Sequence, residues 1–314
     1  MSHYLKIITI FLCVICFKAI HADPWFTGPI LAAAGHTVPR GHTNFEIYGI
    51  DVFTNGQYNE SGHVVPMPQF KSLIFNPLLT HGFTDWLDVQ VSLPYVFNST
   101  QGRNYRRLSD SSIGLGFQLA EQKKSKWLPD IRLFLQETFP TGSYEHLIPE
   151  YLGTDATGLG SYRTMVALNL QYLAQVTENH YLRSRLIISR RYSSSVDVNG
   201  FNSFGGTALT RGRVNPGAED NFDLAFEYTL TQNWVAVMEG YISQGKATQF
   251  DGILDIVSTG AIPLSGQYSE TGLAPALEYN FNANVGLIGG VWFPVAGKNT
   301  SNFMSYVLAL NAYW

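Results

Sequence analysis

Apolar and polar residues alternate strictly over stretches of about ten residues along this chain. In residues 88–97, Val89 and Val91 alternate with Asp88 and Gln90. Such alternation predicts a β-strand with one apolar and one polar face. Strands of soluble sandwiches usually have about five or six residues, whereas about ten are needed to cross a bilayer at a tilt of about 45°. The pattern therefore favours a transmembrane barrel with an apolar outer face and a polar interior. The same period of two recurs in residues 112–120, 162–172, 222–230 and 304–314.

The composition argues against three other classes of protein. Charged residues make up only 14% of the chain, against about 25% in a typical soluble domain. Aromatic residues also reach 14%, whereas disordered chains are rich in charge and poor in aromatics. Beyond residue 20, no apolar run in the sequence approaches the roughly 18–20 residues of a spanning helix. The net charge of −4 comes without a basic stripe, which predicts that nucleic acid is not a partner.

The first 22 residues have the features of a secretory signal peptide. A lysine precedes an apolar run at 7–17, and Ala22 offers a small residue for cleavage. The run is too short for a membrane anchor. Both cysteines, Cys13 and Cys16, lie in this run, so the mature chain is expected to fold without disulfides. The sequence therefore predicts a signal peptide over 1–22 and a mature protein beyond the inner membrane.

Residues 43–314 contain the candidate strands, so the sequence predicts an all-β fold with a single antiparallel barrel of about twelve strands. The connections between these strands alternate between short and long, as they do in outer-membrane barrels. An even number of strands places both ends of the barrel at the short-turn rim, which faces the periplasm. We therefore expect an integral protein in the outer membrane of a Gram-negative bacterium, surrounded by outer-membrane lipids. The predicted strands are 43–53, 70–83, 86–98, 110–120, 129–140, 161–173, 180–192, 221–231, 233–245, 269–281, 284–294 and 303–314.

The two ends of the mature chain carry separate expectations. Residues 23–42 lack strand alternation and contain Trp25, Phe26 and Pro29. Because this segment begins beside the first strand, we expect it to fold back into the lumen as a plug; a loose periplasmic tail is the alternative. The last strand ends in Trp314, which resembles the aromatic end that outer-membrane barrels present to the barrel-assembly machinery. That machinery is an expected partner.

The sequence predicts neither an enzyme nor a cofactor or metal site. It has no zinc-binding histidine pattern, no nucleophile elbow and no phosphate-binding loop. Ser143 and His146 lie near each other in the predicted loop 141–160, but no strand fixes their geometry. We interpret them as solvated loop residues.

Polar residues at inward parity are the candidates for lining a pore. A charge facing lipid at mid-bilayer costs roughly 2–4 kcal/mol, so charged strand residues must point inward whatever the function. The candidates carry both signs of charge, which argues against a dedicated filter for anions or cations. They are Asp88, Gln90, Arg132, Gln136, Arg163, Asn169, Gln171, Arg183, Arg185, Asp223, Glu227, Glu239 and Glu278.

Two prolines in neighbouring strands predict a kink in the wall. Pro77 and Pro94 lie at similar distances on either side of the Asp85 turn. Proline has no amide donor and is normally confined to sheet edges or bulges. The pair predicts a weakened patch in the outer half of the wall. It is either a bulge that lets the wall bend inward or a lateral exit for apolar solutes.

Several segments resemble the phenol-degradation meta-pathway family of outer-membrane proteins. The similarity covers roughly residues 80–314. It implies a barrel that takes up aromatic or other apolar compounds, and it offers no catalytic residue. The matching blocks are Gly-Phe-Thr-Asp-Trp-Leu at 82–87, Val-Ser-Leu-Pro-Tyr at 91–95, Asp110 with Ile-Gly-Leu-Gly-Phe at 113–117, Leu-Pro-Asp at 128–130 with Phe-Pro-Thr-Gly at 139–142, and Leu-Glu-Tyr-Asn-Phe at 277–281.

The leading functional expectation is an outer-membrane channel for passive uptake of small solutes. The pore class follows from the number of strands and the polar inner face, and the apolar or aromatic solute class follows from the resemblance. A non-specific small porin is the nearest alternative. A surface adhesion or structural barrel is more distant and depends on the long loops 193–220 and 246–268. A lipid-modifying enzyme is the least favoured.

Overall fold

The computed structural model of this chain describes residues 24–122, 127–253 and 266–314. The predicted signal peptide, residues 1–22, lies outside the described residues. Within them, no helix has both the length and the apolarity to cross a bilayer. The strands are β1 (Thr43–Tyr58), β2 (Val64–Thr84), β3 (Leu87–Ser92), β4 (Tyr95–Thr100), β5 (Arg103–Leu108), β6 (Ser111–Ala120), β7 (Asp130–Phe139), β8 (Arg163–Gln175), β9 (Tyr181–Ser193), β10 (Val196–Asn199), β11 (Arg211–Asn215), β12 (Glu219–Thr229), β13 (Trp234–Gly245), β14 (Gln249–Ile253), β15 (Tyr268–Leu273), β16 (Ala276–Asn280), β17 (Val285–Lys298) and β18 (Thr300–Tyr313).

These strands form a closed antiparallel barrel. Strand β1 pairs with β2 on one side and with β18 on the other, so the sheet closes on itself. Closure removes the unpaired edges that an open sheet would present to lipid. Twelve strands go round the barrel in the described structure, because three of them are each built from two segments: β3 with β4, β5 with β6, and β15 with β16. The predicted fold class is confirmed.

The alternation in sequence becomes an alternation in exposure. On β12, Phe222 and Phe226 are 42% and 41% exposed, whereas Asp223 and Glu227 are 3% and 0% exposed. An aqueous protein would bury the aromatic residues and expose the carboxylates. The inverted pattern is the one expected of a barrel with lipid outside and polar groups inside.

The hairpin of β1 and β2 is longer than the sequence predicts. The predicted strands 43–53 and 70–83 leave residues 54–69 as a loop, but β1 continues to Tyr58 and β2 begins at Val64. The register slips at Gly56, where a Cβ atom would lie only 2.8 Å from the carbonyl oxygen of Val65. A glycine bulge thus lets the two strands continue past an irregular stretch of sequence.

Two predicted strands are each divided in two at a proline. The predicted strand 86–98 is interrupted at Leu93 and Pro94, and the predicted strand 269–281 is interrupted at Ala274 and Pro275. Proline cannot donate a hydrogen bond to the ladder, so the pairing stops there and resumes afterwards. The short strand β5 was not predicted and extends the hairpin with β4.

The two rims of the barrel differ in the length of their connections. Short turns join neighbouring strands at one rim, and the two ends of the barrel meet there. Thr43 and Trp314 exchange backbone hydrogen bonds of 2.7 and 3.0 Å. The long connections lie at the other rim. The connection between β9 and β12 contains β10 and β11, and the connection after β13 contains β14. These three strands form a separate sheet, and Val196, Val198 and Val214 form a small buried cluster there.

Candidate functional site in the barrel interior

The segment before β1 lies against the polar inner face of the barrel. The carboxylate of Glu239 on β13 accepts backbone N–H groups from Ile30 at 2.9 Å, from Leu31 at 3.0 Å and from Ala32. Because these residues are in no strand, their amides need acceptors outside the ladder. One carboxylate thus satisfies three consecutive N–H groups.

A second carboxylate holds the start of the segment. Glu278 on β16 accepts the N–H groups of Thr27 at 2.8 Å and Gly28 at 3.2 Å. Asn280 on the same strand donates to the carbonyl oxygen of Trp25 at 3.2 Å. The beginning of the described segment is therefore fixed to β16, close to the short-turn rim.

The remainder of the segment crosses to the opposite side of the interior. The N–H of Thr37 donates to Gln118 on β6 at 2.7 Å, and that of Val38 donates to Asp88 on β3 at 2.9 Å. The end of the segment is therefore bonded to β3 and β6.

The middle of the segment is bonded to β8 and β9. Arg185 on β9 donates to the carbonyl oxygen of Ala32 at 2.8 Å. Asn169 on β8 donates to the carbonyl oxygen of Ala34 at 3.2 Å, and Gln171 on β8 hydrogen-bonds to His36 at 2.9 Å. Residues 25–38 therefore contact strands around much of the circumference.

Apolar contacts accompany these hydrogen bonds. Ile30 is 8% exposed and packs in a buried cluster with Val235, Val237 and Ile288. The guanidinium of Arg183 lies 4.1 Å from the centre of the Phe26 ring, within the range of a cation–π interaction. The segment thus packs Ile30 against apolar residues of the wall and Phe26 against a guanidinium group.

Two glycines of the wall leave space for the segment. A Cβ atom on Gly286 would overlap the side chain of Thr27, and one on Gly82 would overlap the carbonyl oxygens of Val38 and Pro39. Any larger residue at these positions would push the segment away from the wall.

Buried ion pairs hold the inner face together behind the segment. Glu227 is 0% exposed and accepts two hydrogen bonds from Arg183, one of them 2.6 Å from Nε. The Nε of Arg185 lies 3.2 Å from the same carboxylate. Across the barrel, Arg132 pairs with Asp88 at 2.5 Å. A buried charge is tolerated only when it is paired and hydrogen-bonded, and these four strands supply partners for one another.

The outer half of the interior is covered by the connection between β7 and β8. Thr154 in this connection is 0% exposed, and Asn98 on β4 donates to its carbonyl oxygen at 2.9 Å. Asp110, at the junction of β5 and β6, accepts the N–H groups of Gly142 at 3.1 Å and Leu159 at 3.0 Å. The predicted solvated loop is therefore folded against the barrel mouth.

The thirteen candidate pore residues all lie on the inner face of their strands, in three groups. Those that contact the N-terminal segment are Asp88, Asn169, Gln171, Arg183, Arg185, Glu239 and Glu278. Those that pair with members of this group are Arg132 and Glu227. Four candidates do not contact the N-terminal segment. Gln90, Gln136 and Arg163 contact Thr80, Ser112 and Asp110, respectively. The fourth, Asp223, is 3% exposed. Their role in solute passage stays a prediction.

Two residues that hold the segment were not among the candidates. Gln118 accepts the N–H of Thr37, and Asn280 bonds to both Trp25 and Thr27. Both stand at inward parity, which was the available signal. Gln118 lies in the predicted strand 110–120 and Asn280 in the predicted strand 269–281, so inward parity could have found both.

The two wall prolines lie close together in neighbouring strands, at a short gap in the ladder. The N–H of Leu93 donates to the carbonyl oxygen of Pro77 at 3.3 Å, and the N–H of Ser109 donates to that of Pro94 at 2.8 Å. Ladder pairing between these strands resumes at Leu78 with Ser92 on one side of the gap, and at Phe75 with Tyr95 on the other. The ladder is therefore interrupted at Leu93 and Pro94, and the strands keep the same register on both sides of the interruption.

The structure places Ser143 and His146 in the connection between β7 and β8. The backbone of Ser143 bonds to Thr157 and Gly158, and no hydrogen bond joins Ser143 to His146 among the described residues. No group of three or more His, Asp or Glu in the described ranges could hold a metal ion.

Comparison with solved structures identifies outer-membrane barrels. An outer membrane channel from Pseudomonas putida F1 matches with a TM-score of 0.69 and 16% identity, over 91% of this chain and 100% of that one. The β domain of the Bordetella autotransporter BrkA matches with a TM-score of 0.48 and 8% identity, over 88% and 100%. The NanC porin matches with a TM-score of 0.45 and 9% identity, over 85% and 98%. No protein-family model matches this chain, and no curated protein matches it in sequence. The chain has the barrel fold of bacterial outer-membrane channels.

Proposed function

We propose that this protein is an integral outer-membrane channel of a Gram-negative bacterium for passive uptake of small apolar or aromatic solutes. The observation that carries the channel class is a closed twelve-stranded barrel whose inner face bears buried polar side chains. The solute class has a separate support, the resemblance of the blocks between 82 and 281 to the phenol-degradation family.

The N-terminal segment acts as a plug in this proposal. It crosses the interior from β16 to β3, and its backbone N–H groups donate hydrogen bonds to the carboxylates of Glu278, Glu239 and Asp88. Hydrogen bonds to charged groups contribute about 1.5–3 kcal/mol each, so the segment is held firmly at rest. Solute passage requires it to shift or to leave a gap beside it.

The wall irregularity at Pro77 and Pro94 offers a route that suits apolar solutes. An apolar molecule that leaves through the wall enters the membrane directly. It therefore avoids an aqueous step at the periplasmic end of the barrel. The same irregularity would serve a merely structural bulge, so the route needs a direct test.

A non-specific small porin is the second candidate. The observation that favours it is the mixture of buried cations and anions on the inner face, among them Arg183, Arg185, Glu227 and Glu239. Such a lining selects weakly by charge and would admit small polar molecules of several kinds.

Uptake by whole cells separates the two candidates. The chain is expressed in a bacterial strain that lacks its major porins, and initial uptake rates are measured for labelled phenol, arabinose and serine. Faster uptake of phenol alone supports the proposed channel. Equal acceleration of all three solutes supports the porin, and rates equal to those of the empty strain reject both.

A further inference from the structure

The hairpin of β4 and β5 lies at the outer boundary of the lipid-facing surface. Ser99 stands fourteen positions after Asp85 at the short-turn rim. At a rise of about 3.3 Å per residue and a tilt of about 45°, this places Ser99 about 30 Å above that rim. The apolar band of outer-membrane barrels is about 25 Å tall. The hairpin tip therefore stands where the acyl chains end and the headgroups begin.

This hairpin carries an excess of positive charge. Arg103, Arg106 and Arg107 are exposed, and the hairpin sequence from 95 to 108 contains no acidic residue. Lys71 on the neighbouring strand lies opposite Ser99. It pairs with Asp51 at 3.0 Å. Arg106 stands opposite the lipid-facing Phe97, and Arg103 stands at the hairpin tip. Arg107 stands opposite the buried Val96 and so belongs to the other face of the hairpin.

Outward-facing cations elsewhere on the barrel are balanced differently. Arg190 on β9 is held by Asp220 at 3.0 Å on the adjacent strand. The β4–β5 hairpin has no such acid on either of its strands. Its charge is therefore available to an external anion.

Aromatic residues line the lipid-facing surface next to these arginines. Tyr95 and Phe75 are 38% and 42% exposed. The Phe97 ring lies between them, 5.2 Å from Tyr95 and 5.9 Å from Phe75. A surface with aromatics on the membrane side and guanidinium groups beyond it matches an amphiphile with apolar chains and an anionic head.

A cleft lies at the polar end of this surface. Its volume is about 610 Å³, and it is lined by Gln69, Lys71, Ser99, Arg103 and Asn104 among others. These side chains supply hydrogen-bond donors of several kinds. Arginine and lysine are the residues that most often bind phosphate, arginine through a bidentate fork.

We propose that this surface, here named the β4–β5 patch, binds the phosphorylated sugar headgroup of an outer-leaflet lipid. The patch comprises Gln69, Lys71, Arg103, Asn104 and Arg106 at the level of the headgroup. Tyr95, Phe97 and Phe75 lie beside the acyl chains. The phosphates contact Arg103, Arg106 and Lys71. This inference rests on the proposed placement in the outer membrane but not on the identity of the solute.

Lipid binding to the purified, folded barrel in detergent tests the proposal. The probes are bisphosphorylated lipid A, its dephosphorylated counterpart and inorganic phosphate, each followed by native mass spectrometry and by the shift in Tm. The test variant is Arg103→Gln/Arg106→Gln. The matched control is Arg190→Gln/Arg211→Gln, which removes the same charge from other outer sites.

The unmodified barrel and the control should bind bisphosphorylated lipid A and gain Tm, and the test variant should bind it at least about tenfold more weakly. Equal binding by the test variant overturns the proposal. So does equal binding of the dephosphorylated lipid, or an equal Tm gain from inorganic phosphate, which would indicate a free anion as the ligand. The double variant is compared only if it folds, as judged by heat-modifiable gel mobility. If it does not fold, Arg106→Gln alone should still weaken binding measurably, and unchanged binding rejects the patch. Because this assay measures no transport, a failed uptake experiment and a failed lipid experiment remain distinguishable.

Discussion

The carboxylate of Glu239 accepts the backbone N–H of Ile30, 2.9 Å away and 209 positions earlier in the chain. The next two amides, of Leu31 and Ala32, converge on the same group. One wall residue therefore fixes the centre of the N-terminal segment, and it is the first place at which the plug proposal can be tested.

Deletion of residues 24–38 should raise single-channel conductance several-fold. The deletion removes the backbone that crosses the interior from β16 to β3 and leaves the barrel strands intact. Planar-bilayer recording of the refolded variant beside the complete chain measures the effect. Unchanged conductance, with normal gel mobility of the folded barrel, would contradict the plug.

The variant Glu239→Gln should loosen the segment without removing it. The amide keeps one oxygen acceptor but loses its charge, and hydrogen bonds to charged groups are stronger by roughly 1 kcal/mol than neutral ones. We expect faster hydrogen exchange at residues 30–32 and more frequent opening events. The control is Glu137→Gln, a carboxylate whose partner is Thr164 at 2.6 Å on the outer face. Equal exchange in both variants would argue against a role for Glu239.

Gly286→Val should displace the start of the segment. A Cβ atom at this position overlaps the side chain of Thr27, and the valine methyl groups extend the overlap. Conductance should rise toward that of the deletion variant. Gly289→Val is the control, because a Cβ atom there would be in ordinary contact, 3.6 Å from Leu308. Similar recordings from both variants would show that the overlap is harmless.

Glu227→Gln should destabilise the folded barrel by about 3–5 kcal/mol, since it leaves two buried guanidinium groups without a carboxylate. Those groups belong to Arg183 and Arg185. Urea titration of the barrel in lipid vesicles measures the loss. In the same titration, Arg190→Gln breaks an exposed pair and should cost only about 0–1 kcal/mol. A small effect of Glu227→Gln would mean that water or other groups compensate the arginines.

Replacing Pro77 and Pro94 together with valine should restore ladder pairing at the wall irregularity. If apolar solutes leave through this place, phenol uptake should fall while ion conductance stays the same. The whole-cell uptake assay and planar-bilayer recording provide the two readings. Full phenol uptake by a correctly folded double variant would exclude the lateral route.

The sequence predicts the wall of this barrel well because each strand repeats one physical constraint. A residue such as Glu227 or Phe226 must face either lipid or the interior, and parity decides which. The places where prediction failed are those without that constraint. The hairpin extension past Gly56 and the break at Pro275 depend on local geometry, and the sheet of β10, β11 and β14 depends on pairing between two distant loops.

The contacts of the N-terminal segment could not be read from its residues. The segment has no period, and its partners Glu239 and Glu278 lie more than 200 positions away. Parity indicated that these carboxylates point inward, but a buried charge can be satisfied by an arginine, by water or by backbone amides. The choice follows from the path of the segment, which only the folded barrel defines.

The hydrogen bonds between Thr43 and Trp314 join the first strand of the barrel to the last. This seam can therefore form only when the last strand has been made. The segment before Thr43 is made first, yet most of its acceptors belong to β8 and later strands. It can make all of these contacts only after those strands have been added. We therefore expect the segment to complete its docking late in assembly, and a barrel that closes in the wrong register should leave it undocked.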